Sequence, residues 1–310
     1  MGWNFTPATP PTTMAVNSLL SDDLSVVTWV GWDGSIWPLA GGVAPVPGAQ
    51  SGAYLVDVKG LMAPVKHLNK QGARQDGADW VDAVWDVLEL DLTVDITGTD
   101  PASFRRSMRG WMNSWSTKQT GRLCWWTSQS GEWWINLRLG KEVGDVLKNA
   151  PAMMNHQQIA WVARADDNPL WASFDSTSEQ TSTSATVLHD PNGVTAPGFL
   201  PLWNRGDQEG WPRYLVQGPG TFTIGNNGDI GSVTFGPLTA GQQALITSLP
   251  NKRSIKDLQT GVNLYSLLSG RFSSSVAPGA SVHVPVSVTG ATAGHTSIQA
   301  SLTPYRKWPE

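Results

Sequence analysis

The 310-residue chain holds one cysteine, Cys124, so it has neither an intramolecular disulfide framework nor a multi-cysteine zinc site. It has no run approaching the roughly 18 apolar residues of a membrane span. Its opening residues, MGWNFTPATPPTT, lack the basic and apolar regions of a secretory signal, which predicts synthesis in a cytoplasm without membrane insertion. Charge is sparse, at 15% of residues, and basic residues are not in excess. A net charge of -4 excludes the positive footprint that tight nucleic-acid binding requires. Catalytic signatures are also missing. The sequence has no G-x-S-x-G elbow, no phosphate-binding G-x-x-x-x-G-K-[ST] loop and no H-E-x-x-H pair. The run Gly218, Pro219, Gly220 lacks the third glycine of a dinucleotide fingerprint.

What is abundant is glycine (32), proline (21) and tryptophan, 17 residues against seven Phe and four Tyr. Glycine and proline with plentiful Ser and Thr favour many short strands and turns over long helices. Area scaling gives about 12,600 Å² folded against roughly 48,000 Å² extended, enough burial for a substantial core. Fourteen of the tryptophans lie between Trp3 and Trp171, and composition changes near residue 175, where a Ser/Thr-rich stretch reads as a linker or an entering edge strand. Two domains are expected, over residues 1–175 and 176–310. Residues 6–13 and 38–52, rich in proline and glycine, read as extended arms.

In the first part, residues 25–31, 53–60 and 88–98 read as strands. The last places Leu88, Leu90, Leu92, Val94 and Ile96 on one face and Glu89, Asp91, Thr93 and Asp95 on the other. Asp100 then reads as an N-cap with Pro101 at the first helical position. Phe104, Met108, Trp111, Met112 and Trp115 form the apolar stripe of one amphipathic helix, and Arg105, Arg106 and Arg109 fall away from it. Residues 121–127 and 132–140 read as a hairpin. A two-residue loop at Gln129 and Ser130 would set Trp126 opposite Trp133 and Trp125 opposite Trp134, giving an indole pair on each face. Such a ribbon needs cover on both sides. A two-layer core supplies it within one chain, and a neighbouring subunit meeting Trp125, Trp126, Trp133 and Trp134 is the sharper alternative.

The second part shows strands with turn punctuation throughout. Residues 213–217, 221–225 and 230–235 alternate, with Asn226, Asn227 and Gly228 as a tight turn. Val282, Val284, Val286 and Val288 share a face, as do Ile298, Ala300 and Leu302. Pro285 predicts an edge position or an outward-facing backbone site. The fold class expected is mainly β with one amphipathic helix, an α+β domain followed by an antiparallel β-sandwich of jelly-roll type.

Candidates for chemistry are few. The five histidines show no helical metal-pair spacing, and Cys124, between Leu123 and Trp125, reads as a buried apolar residue. No catalytic, cofactor or metal residue is expected. From Asp76 to Asp100 eight carboxylates occur without a Lys or Arg. Their ordinary reading is a solvated strand face, a glycosidase pair being the enzymatic alternative. So many indoles on a β-sandwich also suit a carbohydrate-binding adhesin, with Trp203 and Trp211 as candidates.

The order of features resembles the distal tail proteins, or minor tail proteins, of long-tailed bacteriophages. The belt domain of that family is matched by Gly60, Pro64, Asp76 with Gly77 and Ala78, the strand over 88–98, the helix from Pro101, and the hairpin from Gly121 to Arg138. Its galectin-like domain is matched by Asn204 and Gly206, Pro212, Gly218 with Pro219, Pro278 with Gly279, and Tyr305 with Arg306. The resemblance implies a non-enzymatic virion component of the tail tip, free of cofactors. It implies a hexameric ring joining tail tube protein to tip hub protein, with the genome passing through the lumen. Glu89, Asp91 and Asp95 would then line that lumen, where negative charge keeps DNA from sticking.

Overall fold

The computed structural model describes residues 25–42, 44–46, 49–141, 155–193, 197–226, 231–250 and 252–310. The arm expected over residues 6–13 and most of the turn expected at 226–228 lie outside the described residues. The chain divides into two compact units, Met1–Ala172 with Lys307–Glu310, and Ser173–Arg306. The last four residues therefore join the first unit. The Glu310 carboxylate accepts hydrogen bonds from Trp125 Nε1 and Ser25 Oγ, each at 3.0 Å.

The first unit comprises β1 (Val26–Val30), β2 (Ile36–Ala40), β3 (Gly52–Lys59), β4 (Val65–Lys70), β5 (Asp79–Trp85), β6 (Leu88–Thr97), α1 (Pro101–Asn113), β7 (Gly121–Thr127), β8 (Gly131–Leu139), β9 (His156–Ala165) and β10 (Trp171–Ala172). An antiparallel sheet runs β2-β1-β7-β8-β9-β6-β3, with β10 on β8. Leu88, Leu90, Leu92, Val94 and Ile96 of β6 are all buried, as the alternation predicts. Asp100 caps α1 through a capping box. Its side chain accepts from the Ala102 and Ser103 amides at 2.7 and 2.9 Å, while Ser103 Oγ accepts from the Asp100 amide at 3.0 Å. The helix lays Phe104, Trp111 and the following Trp115 over the sheet, where Trp29, Trp37 and Trp161 join them. Seven tryptophans, Trp29, Trp111, Trp115, Trp125, Trp133, Trp161 and Trp171, are thus core. Pro38, expected in an arm, lies in β2 at the sheet edge beside a register shift, where its missing N–H costs no ladder bond.

The β7–β8 hairpin differs from expectation by one residue. Thr127 opposes Gly131 across a three-residue loop, and Gly131 takes φ 76°, the left-handed conformation such loops favour. Trp125 therefore opposes Trp133, and Cys124 opposes Trp134. A slip of one residue moves every side chain to the other face. Instead of an indole pair on each side, Trp125 and Trp133 point together into the core and are buried there, while Trp126 and Trp134 lie half-buried on the opposite face.

The second unit is an antiparallel sandwich. It comprises β11 (Ser176–Ser182), β12 (Leu188–His189), β13 (Phe199–Trp203), β14 (Arg213–Gln217), β15 (Gly220–Gly225), β16 (Ser232–Leu238), β17 (Gln243–Thr247), β18 (Ser254–Asp257), β19 (Leu268–Ser269), β20 (Ser281–Thr289) and β21 (Ser297–Leu302). One sheet runs β12-β11-β21-β14-β17-β18, the other β13-β20-β15-β16-β19. Val284, Val286 and Val288 of β20 and Ile298, Ala300 and Leu302 of β21 meet in the core between them. Pro285 is not on an edge strand. It sits where β20 stops pairing with β13 and starts pairing with β15, and Gly225 leaves room for its ring, since a Cβ there would fall 2.4 Å from Pro285 Cγ. The Asn204–Gly206 segment is a clamp. Asn204 Oδ1 accepts from the Gly206 amide, and its Nδ2 donates to Gln208 O and Val276 O at 2.8 and 2.9 Å. Gly206 is required there because a Cβ would fall 2.3 Å from Tyr305 O.

Candidate assembly surfaces

Among the described residues, the β4–β5 ribbon pairs with no other strand of its unit. Twelve of its residues are exposed and only Trp85 is half-buried. Directly opposed residues share a side, so the register puts Val65 with Trp85, His67 with Ala83 and Asn69 with Trp80 on one face. Lys66, Val84, Leu68, Asp82, Lys70 and Asp79 occupy the other. The first face is apolar at both ends, and Trp80 is 64% exposed. A two-stranded ribbon is marginal in water without a covering partner. The sequence reading took Asp76–Asp86 only as part of a solvated acidic face and missed the ribbon. The extra residue at Val81 breaks the alternation that would have betrayed it.

The expected lumen residues lie on the sheet face opposite α1. Glu89 and Asp91 are exposed, and Asp95 is half-buried. Neighbouring strands bring cations that β6 itself lacks. Glu89 accepts from Lys141 Nζ at 2.7 Å, which holds its carboxyl below the usual range, and its cross-strand neighbour is Arg164. Lys59 is paired across from Asp91. Asp95 accepts from Tyr54 Oη at 2.7 Å, a bond that raises the phenol's pKa, and His156 Nδ1 lies 3.6 Å from the same oxygen. The face carries both signs, with Lys141 paired to Glu89 while Lys59 pairs with Asp57 and Arg164 with Asp166.

On the same side of the sheet, the Arg122 guanidinium stands 4.9 Å from the Trp134 ring centre. Trp126 and Trp134 lie half-buried at this face. Trp125 and Trp133, buried in the unit's own core, are removed from the expected set of interface indoles. Cys124 of β7 stands opposite Trp134, and burial pushes its thiol up to about 12, with Glu132 adding to the shift. Among the described residues no group of three His, Cys, Asp or Glu is placed to hold a metal ion, and no helix is long and apolar enough to cross a membrane.

No protein-family model matches the sequence, and no curated protein matches it. Solved structures do. The fold is similar to that of the phage SPP1 Dit (gp 19.1) protein, described as a paradigm of the hub adsorption apparatus in Gram-positive infecting phages. The TM-score is 0.57 at 12% identity, over 91% of this chain and 99% of that one. It is also similar to a chain of the phage P2 baseplate in its activated conformation, with Ca (TM-score 0.50) and with Sr (0.51). Identity is 11% in both, over 92% of this chain and 99% of that one. The mainly β fold is therefore similar to that of SPP1 Dit and of a phage P2 baseplate chain.

Proposed function

We propose that this chain is a distal tail protein of a long-tailed phage, a structural component of the virion tail tip that closes into a hexameric ring. The ring joins the tail tube to the tip hub and performs no catalysis. The observation that carries this reading is the likeness to SPP1 Dit over 91% of the chain, spanning both units with almost nothing of that protein left over. Met1–Ala172 with Lys307–Glu310 then correspond to the ring-forming belt, and Ser173–Arg306 to the galectin-like domain.

The ribbon supports closure. Val65 and Trp80 on its apolar face stand exposed while Trp85 packs on the unit's own core, and the next copy covers the exposed end. In a ring each subunit offers one patch to a different patch of its neighbour, so no copy is left with an open ribbon except by failure to close. Trp126 and Trp134 belong to the same set of inter-subunit contacts. The face of Glu89, Asp91 and Asp95 is assigned to the lumen, where the nearby Lys59, Lys141 and Arg164 are themselves paired with Asp57, Glu89 and Asp166 and give no free positive charge to hold passing DNA.

Two measurements test this. Six copies weigh about 200 kDa, which mass photometry separates from a 33.4 kDa monomer. Electron microscopy of purified virions carrying a tagged copy places the label at the tail tip with six-fold symmetry. A label elsewhere in the virion, or a copy number other than six per tip ring, refutes the proposal.

A further inference from the structure

Charge is unevenly spread along the second half of the chain. Residues 230–309 hold six Lys and Arg against one carboxylate, Asp257, in a protein whose net charge is -4. That carboxylate is committed to its own turn. It accepts from the Gln259 and Thr260 amides at 2.9 and 2.8 Å and from Gln242 Nε2 at 3.0 Å.

Two of the six cations meet at one place. β18 ends one sheet of the sandwich and β19 ends the other, and residues of both strands line a small notch. Ile255, Leu268 and Phe272 give it an apolar floor, and Arg253, Tyr265 and Arg271 form its more open rim. The cavity of about 10 Å³ has room for one water-sized group. Arg253 is anchored there. Its Nη2 donates to the Phe272 carbonyl at 3.2 Å, while its Nε is buried without a hydrogen-bond partner among the described residues. An unpaired buried donor is costly, the more so on a charged group. Arg271 brings a second guanidinium to the same rim, and among the described residues neither arginine has an ion pair. An anion seated between them satisfies the orphan Nε and offsets the repulsion of the two cations. Apolar walls strengthen that attraction by keeping water out.

The surroundings narrow the class of anion. A nucleic acid or other phosphate polymer is met by a row of cations open to water, and it brings nothing apolar to cover Leu268, Phe272 and Tyr265. This notch calls for carbon beside the charge. An Asp or Glu with an apolar or aromatic neighbour offers both, and the guanidinium fork matches a carboxylate with two parallel hydrogen bonds. Arg and Tyr are also enriched among the residues that dominate protein–protein contacts. The turn joining β18 to Tyr265 leaves Leu258 and Val262 exposed as well, so the chain around the notch offers further apolar surface. We infer that this notch is the docking site for an acidic segment of another protein, whose carboxylate is held by Arg253 and Arg271 while its apolar neighbour lies on Phe272 and Tyr265.

The test probes the full-length protein with an array of random dodecapeptides and measures the hits by calorimetry. The hits carry Asp or Glu next to Leu, Phe, Tyr or Trp, and replacing that acid by its amide weakens binding about tenfold or more. Arg253→Lys keeps the charge but loses the fork, and weakens binding to a similar degree. Arg271→Ala, at an exposed position, weakens it at an unchanged melting temperature, and Lys66→Ala in the first unit leaves it unchanged. An array without hits, hits without acidic enrichment, or binding that survives both arginine variants overturns the inference. So does displacement by inorganic triphosphate as effective as by the acidic peptides, which would make the ligand a phosphate. Loss of the species of about 200 kDa in Arg271→Ala would make the occupant a second copy of this chain, and overturns it too. Ring closure of the parent protein is read by mass and not by peptide binding, so this inference and the assembly reading fail separately.

Discussion

The indole N–H of Trp29 donates to the hydroxyl of Ser114 at 3.0 Å, and the same hydroxyl donates to the Trp111 carbonyl at 2.7 Å. One small side chain just past the end of α1 thus ties the sheet to the helix inside a cluster of indoles, with Trp29 stacked on Trp115 at 3.8 Å. Ser114→Ala leaves a fully buried indole N–H without its acceptor. The expected cost is about 1–3 kcal/mol, read as a lower denaturation midpoint with an unchanged slope. A loss under about 0.5 kcal/mol would mean the site relaxes or admits water.

Asn204 does the equivalent work in the second unit, satisfying two carbonyls and one amide from a position with no solvent exposure. Asn204→Ala strands all three, and a destabilisation of about 3 kcal/mol is expected. Asn204→Asp keeps the acceptor for Gly206 but places charge against two carbonyl oxygens, and should be no better tolerated. Thermal melts of the two variants decide the point. A variant as stable as the parent would show that the clamp is dispensable.

The N-cap of α1 gives a pH signature. The Ser103 amide, then the Ala102 amide, hold the Asp100 carboxyl below its ordinary value of 3.8. A depressed folded-state pKa means the stabilisation is fully present above the unfolded value and is lost as pH falls through the lower folded one. Denaturation midpoints of the protein and of Asp100→Ala should therefore differ most near neutrality and converge below about pH 4. Asp100→Asn, which still accepts from the helix amides, should retain most of the stability at pH 7. A difference that stays constant down to about pH 2 contradicts the assignment.

Cys124 gives a reactivity signature. With its thiol pushed up to about 12, almost no thiolate exists at pH 8. Ellman's reagent should modify the native protein on the order of a thousandfold more slowly than the unfolded chain. Comparable rates would restore Cys124 as a candidate nucleophile, a role its buried surroundings argue against.

How much of this was legible in the sequence depended on how local each signal was. The β6 alternation and the Asp100–Pro101 helix start are written in consecutive residues, and both appear as expected. The β7–β8 faces hinged on whether the loop has two residues or three, a distinction set by the left-handed Gly131. Lys141, which pairs with Glu89, lies on another segment, so no reading of β6 by itself could pair them. The β4–β5 ribbon left no alternation because of the residue at Val81. Glu310 joins the first unit through contacts with Ser25 and Trp125, 285 and 185 positions away. The resemblance to tail proteins was legible only as an order of turn elements, of which Gly206 and Asn204 prove to be backbone necessities rather than binding groups.

The ribbon supplies the sharpest test of assembly. Trp80 is 64% exposed, so within one copy its removal should change stability by no more than about 0.5 kcal/mol. If the next copy covers the ribbon, the same residue is the buried aromatic anchor of every interface around the ring. Loss of such an anchor costs about 2 kcal/mol or more per contact, roughly a thirtyfold weaker association at each. Trp80→Ala should therefore melt like the parent yet fail to form the 200 kDa species, or form it only at far higher concentration. In a phage lacking its own copy, it should yield particles with incomplete tail tips. Lys66→Ala, on the charged face of the same ribbon, serves as the matched control and should assemble nearly as well, because exposed charges contribute little. A Trp80→Ala protein that assembles like the parent would place the ribbon outside the inter-subunit contact, even with the ring itself intact.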